Sequence, residues 1–570
     1  MPYDVFFSYR RHDLERAQPL LNGLAEVGIR VWRDERDIPD QASITEEIRQ
    51  GIADSRALLA FYSSTYPPSN ACQQEITTAW LAAQHLDQKA NRRVWIVNPE
   101  SGFEHVPELL RDQQCALAVQ DSAELVRTVQ AMKHRLDQLD RTLLGSGARG
   151  LPAYYPNSPI QAKRFTGRVR ELWGLHGKLT ANRISIITGV YGQAATQIRG
   201  LGGNGKSLLA REYSIRFGPA YPGGVFWLNA YGHDDTKGPL QAGQREALRQ
   251  GQISELAVQL GVPTKDQKPS EIEASFWKAI EKRGERCLWI VDDVPSGLTS
   301  NELESVWNAR WVGAFTLVTT RSKEYGAVGS TVDLGVLSSS EAFDLLCSHR
   351  HPRCSAERGA AHRIVERLGY HPPAVEVAGS YLAEGFEAFE DYFAALESPN
   401  EDAVEFGQLL KESLPTGHER SISSTLLKSI RQLDEDGRDF LRLASVLAAA
   451  PVQVSFVAEV FELLYADGTA KSRAVKAVNQ AETLSLCERS GEDRLAVHTL
   501  VSRTMRFQFP GEERTVSLRS AAVRALTLRL QGVAHIGEHS RIVNRRWNTT
   551  PRWVAAVSLP QPHVQYLSDC

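Results

Sequence analysis

Several features that mark whole classes of protein are missing from this sequence. Its 570 residues contain no apolar run of about 18 residues, and no basic segment followed by an apolar one opens the chain. We therefore expect neither a membrane span nor a signal peptide and predict a cytoplasmic protein. The seven cysteines form no C-x-x-C pair, which favours reduced thiols over a disulfide framework or a zinc site.

The sequence also has little excess charge of either sign. A net charge of −3 gives no general reason to expect a nucleic-acid or membrane partner. Apolar residues make up 42% of the chain and charged residues 23%, as in ordinary globular proteins. At this length one hydrophobic core is not enough, and about four domains are expected.

The most specific motif is the segment 200–207, GLGGNGKS, which matches G-x-x-x-x-G-K-[ST]. Such a loop points backbone N–H groups at the phosphates of a nucleoside triphosphate. Lys206 would reach the β- and γ-phosphates, and the Ser207 hydroxyl would ligate Mg²⁺. The glycines that make this loop possible are Gly200, Gly202, Gly203 and Gly205.

The same letters satisfy G-x-G-x-x-G, so a dinucleotide-binding turn is the alternative. That interpretation leaves Lys206 and Ser207 without a role. In addition, the next strand-like run ends in Asn229, where a ribose-binding acid is expected. Both points favour the triphosphate.

A second signal for nucleotide binding is the apolar run 287–291, which ends in two carboxylates. As a buried parallel strand it would deliver Asp292 to Mg²⁺ and Asp293 to an attacking water. The run 316–320 predicts another strand and ends before Arg321, a candidate sensor of the γ-phosphate. The alternative is that the two aspartates only begin a turn.

In the first 138 residues, strand-like and helix-like runs alternate, which predicts a parallel sheet covered by helices. The carboxyl ends of parallel strands share one edge, where a small molecule can bind. The polar residues that follow predicted strands here are Ser8, Tyr9, Arg10, Asp34 and Ser63.

This region resembles the Toll/interleukin receptor (TIR) domain in three segments. They are 3–11 (YDVFFSYRR), 32–39 (WRDERDIP) and the pattern S-x-x-Y-x-x-S-x-x-C-x-x-E from Ser63 to Glu75. The resemblance implies a flavodoxin-like fold, NAD⁺ as substrate and Glu75 as the catalytic residue. It also implies an NAD-binding set of Ser8, Tyr9, Arg10, Trp32, Asp34 and Ser63.

Two positions depart from that pattern, since Ala71 replaces the usual Trp and Asp40 the usual Gly. Spacing on the predicted helix puts Glu75 at the margin of an apolar face. One alternative is that Glu75 only flanks the core and pairs with an arginine. Another is that the domain assembles partners without catalysis, as some TIR domains do.

The middle of the chain resembles the NB-ARC module of STAND signalling ATPases. The matching segments are FTGR at 165–168, the phosphate loop, LWIVDDV at 288–294, TTRS at 319–322 and LGYHPPAV at 368–375. The resemblance implies that Arg168 contributes to the nucleotide site and that Pro372 packs on the adenine. His498 matches the histidine of an M-H-D motif that contacts ADP, although Thr499 replaces the aspartate. Without the resemblance, Pro372 merely interrupts a helix and His498 is structural.

We therefore predict an α/β chain with a flavodoxin-like TIR domain, a P-loop NTPase α/β domain, and α-helical and winged-helix domains. The predicted boundaries are 1–138 (TIR), 139–163 (linker), 164–333 (NTPase), 334–412 (helical), 413–510 (winged helix) and 511–570 (a short tail with no detectable repeat).

The two resemblances together imply an ADP/ATP switch with slow ATPase activity and Mg²⁺ as cofactor. ATP would allow self-association through the NTPase and TIR domains, which then cleave NAD⁺ in immune or antiviral defence after an unidentified trigger. The alternatives are a non-enzymatic TIR scaffold under the same gate and a transcription regulator. The near-neutral charge argues against the latter.

Overall fold

The structure is a computed structural model. It describes residues 2–33, 46–87, 89–111, 122–152, 165–182, 184–189, 205–230, 242–295, 298–299, 302–320, 329–385, 387–397, 419–447, 451–465, 468–491, 493–497, 499–508 and 513–543. None of the helices within these ranges has the length and apolar character needed to cross a membrane.

The first sheet is parallel, with strand order β2-β1-β3-β4. Its strands are β1 (Tyr3–Tyr9), β2 (Val31–Trp32), β3 (Ser55–Phe61) and β4 (Val94–Val97). The helices around it are α1 (Leu14–Glu26), α2 (Glu46–Ala53), α3 (Asn70–Asp87), α4 (Glu108–Arg111) and α5 (Ser122–Asp137).

Both faces of this sheet are buried. Val5 and Phe7 of β1 pack with α1 and α5, whereas Phe6, between them, packs with α2 and α3. This alternation follows from the two-residue period of a strand and explains why β1 is apolar throughout. The sheet therefore holds the carboxyl ends of β1 and β3 side by side, since Tyr9 is paired with Phe61.

The second sheet has five parallel strands in the order β6-β7-β8-β5-β9. They are β5 (Ile184–Gly189), β6 (Gly224–Asn229), β7 (Cys287–Val294), β8 (Ala314–Thr320) and β9 (Ser330–Leu334). The helices that accompany them are α6 (Val169–Ala181), α7 (Lys206–Arg216), α8 (Ala242–Gln259) and α9 (Pro269–Arg283).

The remainder is mostly helical and shares one hydrophobic core. Its helices are α10 (Ser339–His349), α11 (Ser355–Arg367), α12 (Pro372–Ala383), α13 (Phe389–Glu397), α14 (Glu419–Arg431), α15 (Glu435–Val446), α16 (Val454–Tyr465), α17 (Ala470–Thr483), α18 (Thr499–Gln508) and α19 (Glu513–Val543). A small antiparallel sheet joins β10 (Val452–Gln453), β12 (Arg494–Val497) and β11 (Cys487–Gly491) in that order.

The predicted fold class is confirmed. Two parallel sheets wrapped by helices precede a helical region that contains the three-stranded sheet. The alternating pattern of the first 138 residues also includes a strand-like run at 116–119, which lies outside the described residues.

The domain boundaries remain predictions. The segment assigned to a linker contains a helical turn, Leu144–Gly147, that packs on α3. A Cβ at Gly147 would lie 2.1 Å from the Ala82 carbonyl oxygen, so only glycine fits this close approach.

Candidate functional site

The phosphate-loop residues that the structure describes begin at Gly205, which precedes α7 with φ +79°. A left-handed conformation at this point suits glycine, because a Cβ would introduce strain. Lys206 and Ser207 then open the helix, where unsatisfied N–H groups favour an anion. Gly200, Gly202 and Gly203 lie outside the described residues.

Ser207 and Asp292, which were each assigned to Mg²⁺ from the sequence, lie in contact. Its Oγ donates to Asp292 Oδ1 at 2.8 Å, and the Thr319 hydroxyl donates to the same oxygen. Asp292 is only 8% exposed, and this burial raises its pKa, while Thr319 and Ser207 oppose the rise by stabilising the anion. The end of β7 and the start of α7 thus form one polar cluster.

The donor set of this cluster fits Mg²⁺. A hydroxyl and a carboxylate 2.8 Å apart are hard oxygen ligands of the kind that this cation prefers. Asp293, next in the chain, has φ +57° and donates its N–H to Thr319 Oγ1 at 2.9 Å. The pairing of β7 with β8 shifts register between Val291 and Val294, and such irregularities are frequent beside active sites.

Arg168 contacts the connection between β9 and α10. Its guanidinium donates to the carbonyl oxygens of Gly335 at 2.6 Å and Val336 at 3.2 Å, and its backbone N–H donates to Glu341 Oε1 at 2.7 Å. Its predicted contribution to the nucleotide site remains a prediction. Pro372 is the first residue of α12, where proline suits the helix start. Arg321 and His498 lie outside the described residues.

In the first domain, the structure brings Ser8 and Glu75 together. Ser8, near the end of β1, donates from Oγ to Glu75 Oε2 on α3 at 2.5 Å. Glu75 is 7% exposed, so its carboxylate is held among packed groups with defined hydrogen bonds.

Tyr66 completes this arrangement and was given no role by the sequence analysis. Its OH lies 2.5 Å from Ser8 Oγ and donates to the Cys72 carbonyl oxygen at 3.1 Å. Burial raises the pKa of Tyr66 well above its usual value, so its hydroxyl stays protonated. The available signal was its place in the motif that ends at Glu75.

Three of the other predicted NAD-binding residues have contacts of their own in the structure. Trp32 stacks on Phe6 with a centroid distance of 4.7 Å, and Arg10 Nη1 donates to the Thr65 carbonyl oxygen at 3.4 Å. The Tyr9 carbonyl oxygen accepts from the Cys72 thiol at 3.6 Å. Asp34 lies outside the described residues.

Ser63 forms a hydrogen bond with Asp13, a residue to which the sequence assigned no role. Its hydroxyl donates to Asp13 Oδ2 at 2.5 Å, and Thr65 donates to the same oxygen at 2.8 Å. Arg16 forms an ion pair with Asp13 at 3.2 Å. Asp13 therefore fixes the loop after β3, at the same sheet edge as Ser8.

Comparison with known proteins gives a family match for the N-terminal region, which contains Ser8 and Glu75. Residues 5–130 match a family model described as "TIR domain". A putative disease resistance protein of Arabidopsis thaliana is 22% identical over 432 residues, covering 71% of this chain and 37% of that protein. The regulatory protein AfsR of Streptomyces coelicolor is 28% identical over 230 residues, covering 40% and 22%. The chain thus spans between about a fifth and two fifths of these relatives' lengths.

Two solved structures show weaker likeness. A STAND protein with a tetratricopeptide repeat sensor from Pyrococcus horikoshii aligns with a TM-score of 0.41 at 17% identity, covering 66% of this chain and 47% of that one. The TIR domains of an activated resistosome that directly recognises a pathogen effector align with a TM-score of 0.17 at 24% identity, covering 24% and 84%.

Proposed function

We propose that this protein is an NAD⁺ hydrolase controlled by bound nucleotide, because an N-terminal TIR domain precedes a parallel-sheet domain that carries the phosphate-loop residues Lys206 and Ser207. The observation that carries the proposal is the Ser8–Glu75 hydrogen bond of 2.5 Å at the carboxyl edge of the first sheet. A carboxylate fixed at this edge suits a small-molecule site, because ligands of open parallel sheets bind there.

The reaction breaks the bond between the nicotinamide nitrogen and C1′ of the ribose. A water oxygen joins C1′, and nicotinamide, ADP-ribose and one proton leave. Attack by the substrate's own adenine in place of water gives a cyclic product. In either case C1′ passes through an oxocarbenium-like state, and the role of Glu75 is to stabilise its positive charge.

Control by nucleotide rests on the cluster of Ser207, Asp292 and Thr319. Ser207 and Asp292 would hold Mg²⁺ here, and the positive charge of the ion would neutralise the phosphates. ADP favours a closed chain, and ATP favours a form that self-associates through the NTPase and TIR domains. A shift from 1:99 to 99:1 between such states requires about 5.5 kcal/mol of differential affinity.

We assign the activity to immune-type defence in the cell. The support is the 22% identity to a putative disease resistance protein across 71% of this chain. Depletion of NAD⁺ after assembly fits such a role, since it stops the metabolism on which a pathogen depends.

The geometry also favours a second function, a TIR scaffold without catalysis. Glu75 lies within a chain of buried hydrogen bonds with Ser8 and Tyr66, and such a carboxylate can be purely structural. Under this alternative, assembly recruits a partner and NAD⁺ is left intact.

The deciding experiment compares the full chain with Glu75→Gln, which keeps an acceptor for Ser8 but removes the charge. Each protein is driven to assemble with an ATP analogue under crowding, assembly is followed by light scattering, and nicotinamide release is measured. We expect cleavage by the wild type and a loss of at least about a hundredfold in the variant. An assembled wild-type chain that leaves NAD⁺ intact favours the scaffold.

Lys206→Ala tests the gate in the same assay. Removal of the phosphate-binding ammonium is expected to abolish assembly that depends on the ATP analogue. Normal assembly of this variant contradicts control by nucleotide.

A further inference from the structure

The helix that carries Glu75 also docks on the NTPase module. On α3, Trp80 meets Trp173 of α6 edge to face, with a centroid distance of 5.4 Å. Trp173 Nε1 also donates to Gln73 Oε1 at 3.4 Å, and Trp173 is fully buried. The contact thus combines an apolar pair with a directed hydrogen bond.

Farther along α3, Gln84 meets a buried histidine. Gln84 Oε1 lies 3.2 Å from His176 Nε2, and the other ring nitrogen lies 3.0 Å from the Tyr213 hydroxyl. An amide oxygen only accepts, so Nε2 carries the proton. His176 is 0% exposed, and its burial lowers its pKa to about 3, so the ring stays neutral.

At its other end, α3 contacts the phosphate-loop helix. Arg216 Nη2 donates to Asn70 Oδ1 at 3.4 Å, and Arg216 Nε donates to the buried Glu212 at 2.6 Å. Asn70 is the first residue of α3, and Arg216 is the last residue of α7. Because α7 begins with Lys206, one helix joins the phosphate site to the TIR domain.

The dimensions suit a rigid connection. A helix of 11 residues is about 16 Å long, and it moves as a unit when the groups at its first turn change. Tyr213 and Phe217, at the end of α7, both contact His176. A displacement of α7 therefore changes the contacts of both Asn70 and Gln84.

The joint combines a shared hydrophobic core with directed polar contacts, since Trp80 and Ala83 of α3 lie in one buried cluster with Leu172, Trp173 and Leu175 of α6. Three of its hydrogen bonds run between side chains of different domains, and a void of about 30 Å³ lies between Gln84, Tyr221 and Arg286. Such a void can hold a water molecule. Because most of this core is apolar and buried, separation of the two domains exposes it to water, and the free energy for that step has to come from ligand binding or assembly.

We propose that docking of α3 on α6 and the end of α7 is a resting restraint on the TIR domain, and that α7 transmits phosphate occupancy to it. Exchange of ADP for a triphosphate shifts α7, weakens the contacts at Asn70 and Gln84, and releases the TIR domain for self-association. The nucleotide exchange and the self-association rest on the proposed function; docking through Asn70 and Gln84 stands apart from both nucleotide control and NAD⁺ chemistry.

The test is chemical footprinting of His176 in the full chain by diethylpyrocarbonate, read by mass spectrometry. His351, which is exposed on the helical region, gives the reference rate. With Mg²⁺ and a non-hydrolysable ATP analogue we expect His176 to react about tenfold faster than with ADP, because opening exposes its ring. An unchanged ratio overturns the coupling through α7.

Three variants separate docking from coupling. Asn70→Ala combined with Gln84→Ala is expected to raise the labelling of His176 already with ADP. Arg170→Ala, an exposed change on α6, is the matched control and is expected to leave labelling unchanged. Lys206→Ala is expected to remove the response to the ATP analogue.

Each outcome bears on one claim. If His176 is labelled at the same rate in the double variant as in the wild type, docking does not depend on the side chains of Asn70 and Gln84, and this claim is overturned. A normal labelling response without any NAD⁺ cleavage counts against the proposed function and leaves the restraint in place.

Discussion

A single hydroxyl, that of Ser8, joins the two buried groups at the centre of the TIR site. It lies 2.5 Å from both the Tyr66 hydroxyl and Glu75 Oε2. A hydroxyl has one proton, so Ser8 donates to Glu75, and the Tyr66 proton is shared between the Ser8 oxygen and the Cys72 carbonyl oxygen. The position of the carboxylate thus depends on a residue 67 positions away in the chain.

We therefore expect Ser8→Ala to weaken the site. Loss of a buried bond to a charged group costs roughly 1.5–3 kcal/mol of unfolding free energy, and we expect NAD⁺ cleavage to fall about tenfold. Urea denaturation and nicotinamide release measure the two effects. Ser64→Ala, at an exposed serine, is the control, and equal effects of both substitutions contradict a role for Ser8.

At this scale the sequence predicted what belongs to a motif, including two residues 85 positions apart that were assigned to the same cation. The run GLGGNGKS indicated a phosphate loop, and the strand ending at Asp292 led directly to the observed contact with Ser207. The pairs Asp13–Ser63, Arg168–Gly335 and Gln84–His176 were not predicted. Each joins residues at least 50 positions apart, where no periodicity or motif reports on the contact.

Among the elements, α2 is shaped by the ring of Trp32. A Cβ at Gly51 would lie 2.4 Å from that ring, which itself stacks on Phe6 of β1. Glycine lowers helix stability, so its presence within α2 is explained by this close approach. The alternation of strands and helices predicted that α2 exists but gave no reason for its glycine.

Gly51→Ala is therefore expected to destabilise the protein by about 1–3 kcal/mol through overpacking. Gly174→Ala is the matched change, because Gly174 lies within α6 and no atom lies within 4 Å of its missing Cβ. For Gly174→Ala we expect the unfolding free energy to rise by about 0.5–1 kcal/mol. Thermal denaturation of both variants checks the opposite signs, and the same sign for both contradicts this account.

For the whole molecule, the joint between the TIR domain and the NTPase module makes stability depend on pH. Burial lowers the pKa of His176 from 6.5 to about 3. Between these values the unfolded chain binds a proton that the folded chain does not, so stability falls as pH falls through this window. Above pH 6.5 His176 takes nothing from the unfolding free energy, and near pH 3 the unfolding free energy has lost all that His176 can remove.

We expect His176→Gln to reduce the slope of unfolding free energy against pH by up to about 1.4 kcal/mol per unit between pH 6 and 4. Glutamine keeps a hydrogen-bonding group but does not titrate. Comparison of the variant with the wild type removes the contribution of carboxylates such as Asp4, whose pKa is also lowered. Parallel curves for the two proteins rule out His176 as the source.

The double use of α3 also limits how this protein can exchange parts with others. Glu75 faces the Ser8 side of the helix, while Asn70, Gln73 and Gln84 contact the NTPase module. A TIR domain from another protein, grafted in place of the native one, brings a different set of docking residues on that helix. Exchange of the TIR domain therefore succeeds only when the residues of the NTPase module that contact α3 are exchanged with it.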